Sequence, residues 1–384
     1  MKIQDLVVDL RKEPFSSDAL WPRPHRFRAD VKEVWAAVVR VIAEDGTEGY
    51  SGIWGMPTMG GSFSEGLVRH TASEIVGLLK QELVGRDVFD REWLWSQRYV
   101  YGWWGHMTTK AVSIVDQAMW DLAGRLLNQP VYKLLGSCRE KVPCYASGPY
   151  YPNDDDHAAL AAKSKELGYP AFKIKPGGGP LARVKRIASQ VRQAVGDDME
   201  LMLDGQVRFT FEEAYALGKH LQELNFKWFE DPVEHTDFYA LERLGQRLEI
   251  PIAWCDHHRM RFHDLTDWIR RPGGPTILRG DCGKDGLTGL KKLCTVADAF
   301  GMKCELHGSG LGNLHVMLSI RNCDYFEDGL RGCLDKLDTN LHRRDKSDTM
   351  YVDEQGFIHA PTFVGLAPPP DLEALQAKVV ETLR

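Results

Sequence analysis

The chain has 384 residues, 43% of them hydrophobic, too many for one ordinary domain and enough for a barrel of about 250 residues with a smaller partner. Its 48 basic residues face 54 acidic ones for a net charge of −6, so no basic field advertises a nucleic-acid partner, and no run of about 18 apolar residues offers a membrane span. The eight cysteines all follow Leu135 without a CxxC pair, which argues against a zinc ribbon or disulfide framework and fits a reducing cytoplasm.

In chain order, Lys2 to Leu10 reads as a strand, and EVWAAVVRVIA, Glu33 to Ala43, as a second that turns at Glu44-Asp45-Gly46 into Thr47 to Gly55. Between the first two lies Pro14 to Asp30, whose prolines forbid regular pairing and whose Arg23, His25, Arg26 and Arg28 gather positive charge. It is expected to be a lid over an anionic substrate, with Trp54 to Ser64 as a second lid. Periodicity then turns helical over Glu65 to Leu83, Asp90 to Tyr99 and His106 to Leu127. Strands followed by helices make an α+β domain, placed at residues 1–135.

From Lys141 the text changes to short apolar runs that each end in a charged or titratable residue. These are Lys173 and Lys175 in AFKIK, Asp204 in ELMLDG, Glu230 in FKWFEDP, Asp256 in IPIAWCD, Asp281 in TILRGD, His307 in KCELHG and Glu327 in DYFE. The interval is about 25 residues, one strand-plus-helix unit of a (β/α)8 barrel, and such a barrel delivers every strand end to one rim. The fold is therefore expected to be α/β, a TIM-type barrel over residues 136–330, with 331–384 returning to the first domain. The first unit, KVPCYAS, ends without an evident catalytic group.

Strand alternation puts Lys173 and Lys175 on one face, where burial and like charge depress an amine toward use as a base. Asp204, Glu230 and Asp256 lie on consecutive strands, close enough to share one hard cation, for which Mg2+ is the natural occupant. Cys255 and His257 are read as packing around Asp256. On the far side, His307 supplies a second acid or base. The substrate is expected to be a small-molecule carboxylate.

These motifs resemble the enolase superfamily, and within it the mandelate racemase/muconate lactonizing enzyme family and its mandelate-racemase-like group. AVSIVDQAMWDLAGRLLNQPVYKLLG is similar to the family's joining helix, KIK to its Lys-x-Lys motif, and Asp204, Glu230 and Asp256 to its magnesium ligands. The resemblance implies an enolase-like modified barrel with an α+β cap. It also implies Lys175 as base, Lys173 as neutraliser of the substrate carboxylate, His307 as opposing acid or base, and Glu327 as a group that bonds that carboxylate. Two positions depart from the pattern: Asp256 stands where a glutamate is usual, and the acid that orients the histidine falls one residue late. Counted from Thr288 and His307 it belongs at Gly280, and on a regular strand that shift would turn Asp281 to the other face unless a bulge intervenes. The implied reaction is removal of the proton alpha to a carboxylate, ending in dehydration of a sugar-derived acid. The alternatives are racemisation or epimerisation of a 2-hydroxy acid, a Schiff-base aldolase on either lysine, or a non-catalytic binding barrel; the chain is expected to form a homo-oligomer.

Overall fold

The computed structural model describes residues 1–14, 32–54, 61–103, 108–148, 153–254, 262–329 and 350–384. The first lid segment beyond Pro14, the centre of the second, and Asp256 with its neighbours Cys255 and His257 lie outside these residues.

Strands β1 (Ile3–Pro14), β2 (Glu33–Ala43) and β3 (Glu48–Trp54) form an antiparallel sheet. Strand β1 runs four residues past its expected end, because its pairing with β2 continues to Pro14 opposite Glu33; a proline is tolerated at such a terminus. One sheet face carries Leu6, Val8, Leu10, Val39 and Val41 onto helices 61–83 and Arg91–Trp103 and the long helix Thr109–Leu126. The last of these also packs on the barrel helix Cys282–Ala299, so it belongs to both cores.

Among the described residues eight parallel strands follow: β4 (Lys141–Ser147), β5 (Ala171–Ile174), β6 (Glu200–Asp204), β7 (Trp228–Glu230), β8 (Ile252–Trp254), β9 (Ile277–Gly280), β10 (Lys303–Leu306) and β11 (Phe326–Gly329). They pair in sequence from β4 to β10, and β11 returns to pair with β4. At the seam between β10 and β11 the buried Glu305 carboxylate accepts from the backbone N–H groups of Asp324 (2.8 Å) and Tyr325 (3.2 Å). Alternation is clean. Phe172, Ile174, Leu203, Phe229, Trp254, Leu278 and Phe326 point outward to the helices, while Tyr145, Ala171, Met202, Trp228, Ala253 and Ile277 fill the barrel interior below the rim.

Beyond residue 349 the turn at Glu354-Gln355-Gly356 leads into β12 (Phe357–His359), which adds antiparallel to the start of β4. After the helix Leu372–Gln376 the chain forms a further strand, β13 (Val379–Leu383), which pairs with β1. This pairing returns the tail to the first domain, as expected. Among the described residues no helix is long and apolar enough to cross a membrane.

Candidate active site

The rim layer begins at the end of β4. The Ser147 hydroxyl donates to Glu327 Oε1 (2.7 Å) and accepts from Lys175 Nζ (2.8 Å), so the first barrel unit does contribute a polar group to the site. Its signal was its place at the same strand-end period; a neutral serine is easily passed over among charged neighbours.

Strand β5 sends Lys173 and Lys175 inward. Lys173 is fully buried and touches Glu230 Oε2 (2.9 Å) and Glu327 Oε1 (3.2 Å). Burial alone would favour the neutral amine, but the two carboxylates outweigh it and hold Lys173 well above its ordinary range. Lys175 is different. It has Ser147 and, at 3.4 Å, Glu327, and burial together with the Lys173 charge brings it down to about 8 against the pull of Glu327. The expectation that both lysines are depressed therefore needs correction: ion pairing separates a permanent cation from a usable base.

Arg279, on β9, is the largest feature the sequence reading missed. Its guanidinium is fully buried and reaches Glu230 Oε1 (3.1 Å) and Glu327 Oε2 (3.0 Å). Two cations thus alternate with two carboxylates. Alternation back from Asp281 would have found it, because residues two apart on a strand share a face. Glu327 receives Ser147, Lys173 and Lys175 on Oε1, and Arg279 and the Gly308 N–H (2.9 Å) on Oε2. Burial pushes its pKa up, but Lys173, Lys175, His307 and Arg279 prevail and keep it well below the usual carboxylate range. It stands as an anion surrounded by donors.

The acids at the ends of β6 and β7 face one another in register, Asp204 opposite Glu230. With Asp231 their carboxylate oxygens come within 4.8 Å of one another. Burial, with Glu230 beside it, pushes Asp204 up to about 6, while Glu230 is drawn below its ordinary value because Arg279 and Lys173 overcome burial. A cluster of hard carboxylate oxygens, buried at Glu230 and Asp231 and half-buried at the poorly compensated Asp204, fits a divalent ion such as magnesium. The turns behind it are strained: Gln206, Val207 and Asp231 have φ of 54°, 54° and 41°. Bonds from Gly205 N to Glu230 O (2.7 Å) and Val207 N to Asp231 O (2.8 Å) hold them so.

On the other wall, His307 Nδ1 lies 3.0 Å from Asp281 Oδ2. The alternation argument against Asp281 fails for a simple reason: it is Gly280 that points outward, where an added Cβ would meet Leu290 and Leu293 at 2.6 and 2.7 Å. Arg279 and Asp281 therefore share the inner face. Walls β5 and β10 are separated by β11 and β4 on one side and by β6 to β9 on the other, so they lie across the mouth somewhat off the diameter.

The geometry has counterparts among known proteins. Residues 156–374 match the enolase C-terminal domain-like family and residues 15–136 the mandelate racemase/muconate lactonizing enzyme N-terminal domain. An arabinonate dehydratase of Saccharolobus solfataricus is 30% identical over 269 residues, 66% of this chain and 70% of that one. An L-rhamnonate dehydratase of Saccharopolyspora erythraea is 29% identical over 308 residues, 76% and 72% of the two chains. The crystal structure of a D-glucarate dehydratase from Agrobacterium tumefaciens complexed with magnesium superposes with a TM-score of 0.86 at 29% identity, covering 99% of this chain and 100% of that one.

Proposed function

The chain belongs to the mandelate racemase/muconate lactonizing enzyme family of the enolase superfamily, and from that premise we propose that it is a magnesium-dependent acid sugar dehydratase. It removes the proton alpha to the carboxylate of a sugar-derived acid and expels the beta-hydroxyl as water, leaving an enol that becomes the keto acid. The observation that carries this reading is the division of labour between two amines and one imidazole around a single carboxylate-lined mouth.

Lys175, brought to about 8, is neutral often enough near neutral pH to take the alpha proton. Lys173 stays charged and offers that charge to the substrate carboxylate, a role that also removes it as a Schiff-base amine. Asp281 holds the Nδ1 side of His307, leaving Nε2 to give a proton to the departing hydroxyl. Glu327 keeps both lysines and Arg279 in place; as an acceptor already ringed by donors it is better suited to that than to bonding a substrate carboxylate directly. Asp204 and Glu230 would hold magnesium, with Asp231 within reach of the same cluster; Asp256, two positions after Trp254 in the chain, is the third ligand the family resemblance implies. When bound, the ion supplies positive charge against the electron density that gathers on the substrate carboxylate as the alpha proton leaves.

A racemase or epimerase is the second reading, favoured by proton-transfer groups on two walls rather than one. We also take the chain to assemble with copies of itself, which light scattering would test. The deciding assay offers aldonic and aldaric acids with magnesium and follows both keto-acid formation and uptake of solvent deuterium at the alpha carbon. Dehydration gives product with exchange; racemisation gives exchange and inverted substrate without product. Full activity after exhaustive chelation, or covalent trapping by borohydride, would overturn the metal-dependent reading.

A further inference from the structure

Asp281 and His307 stand directly after different strands, β9 and β10, where the chain leaves the barrel. The last ladder bond between them runs from His307 N to Gly280 O (2.8 Å). Beyond that bond, the separation of the two side chains depends on what holds the segments that follow.

Asn313, in the helix Leu311–Met317, is 1% exposed and spans both. Its Oδ1 accepts from the N–H of Cys282, the residue after Asp281, at 2.9 Å. Its Nδ2 donates to the carbonyl of His307 at 2.6 Å and to that of Gly308 at 3.2 Å. The partners dictate the orientation of the amide, since an N–H can be met only by oxygen and a carbonyl only by a donor. One side chain thus ties the backbone beside the acid to the backbone of the histidine.

The Asp281 turn is also gripped from the capping side. Ser113 donates to Gly283 O (3.1 Å) and Gln117 to Cys282 O (3.2 Å), while Asp116 accepts from Thr288 N (3.0 Å). Gly286, at φ 68°, lets Asp116 approach so closely that a Cβ there would sit 2.5 Å from Asp116 Oδ2. Within the turn, Asp281 Oδ1 accepts from Gly283 N (2.8 Å), which leaves Oδ2 to face the imidazole. These contacts fix the turn to the cap. Among the described side chains outside the pair, Asn313 bonds both the turn and the histidine segment.

We infer that Asn313 is the positioning residue of the Asp281–His307 pair. It touches no reacting atom; it sets the distance and angle at which the acid meets the imidazole, where a displacement of about 1 Å can cost on the order of 100-fold in rate. The placement is independent of the reaction, and only its consequence for turnover rests on the dehydratase reading above.

Two variants of the full-length protein test it. Asn313→Ala removes all three bonds. Asn313→Asp keeps the volume and the Cys282 bond but sets an oxygen against the His307 and Gly308 carbonyls. Crystal structures of both should show Asp281 Oδ2 and His307 Nδ1 parted beyond about 3.5 Å, the limit of a useful bond. With a substrate that the wild type dehydrates, kcat should fall roughly 10- to 100-fold. Magnesium affinity by calorimetry, KM and alpha-deuterium exchange on the Lys175 side should stay within about threefold, because none of them needs the pair. On an Asp281→Asn background, Asn313→Ala should cost no more than about twofold further, as expected of two residues acting through one contact. An unchanged separation, penalties that add in full on that background, equal loss of exchange and product, or failure of both variants to fold would each overturn the assignment. If the wild type dehydrates no acid sugar, the proposed function fails, while the crystallographic separation still decides the role of Asn313.

Discussion

The two walls of the mouth are built on different principles. The lysine wall is electrostatic: Lys173, Arg279, Glu230 and Glu327 are almost completely buried, each cation touches both carboxylates, and every group stands on a strand. The histidine wall is held by backbone. His307 is 35% exposed, Asp281 leads a turn rather than ending a strand, and the supports come from a helix after β10 and from the capping domain. A low-dielectric charge ring tolerates little change in any member, because a lost partner strands a buried charge. A wall held by several amide bonds can give at one of them and keep its fold.

The largest expected effect separates the walls directly. Lys175→Ala should abolish both turnover and alpha-proton exchange, a loss of at least about 1,000-fold, since among the described residues no other neutral base stands on that side. His307→Asn should lose product while still exchanging the alpha proton with deuterium. A folded, metal-loaded His307→Asn protein that exchanges no proton from any wild-type substrate would exchange the roles of the two walls.

Glu327→Gln should act on stability as well as rate. It leaves Lys173, Lys175 and Arg279 with one carboxylate fewer, and breaking a buried ionic set of this kind costs about 3–5 kcal/mol, which a melting curve would register. Lys175 also loses the group that raises its pKa, so the pH at which activity appears should move down from its wild-type position. Deletion of the Asp281 carboxylate should shift neither.

In the wild type, kcat/KM should rise about tenfold per pH unit up to about pH 8 and level off above it, because Lys175 must lose its proton to act. A flat profile between pH 6 and 9 would mean that the base lies elsewhere.

The smallest effect concerns the support behind the histidine wall. His315, two residues beyond Asn313, accepts from Tyr132 N through Nδ1 (2.8 Å), and burial lowers it to about 3. Its folded pKa lies below its ordinary 6.5, so as pH falls the unfolded chain takes up the proton first. Stability linked to His315 is thus complete above about pH 6.5 and drains away toward pH 3. Hydrogen exchange should show the helix Leu311–Met317 loosening at pH 5 before β5 and β7 do; simultaneous loosening would erase the difference between the walls.

Much of this molecule was legible in its residues. The period of about 25 from Lys175 to Glu327 announced the barrel, because each unit must be long enough for a strand and a returning helix. The period of two identified Lys173 and Lys175 as companions, since a pleated strand leaves no other choice. These are local rules, and sequence alone determined them. Tertiary structure decided the rest. That Lys173 is a fixed cation while Lys175 is a base follows from Glu230 and Glu327, which lie 57 and 154 positions away from Lys173 in the chain and reach it only when the barrel closes. That Asp281 faces inward follows from Leu290 and Leu293 occupying the space outside Gly280. Arg279 and Ser147 read as ordinary strand residues until their partners appear, and Asn313 as an ordinary helix residue. Periodicity reports which face a side chain takes, whereas charge state and exact reach depend on neighbours that only the closed barrel brings together.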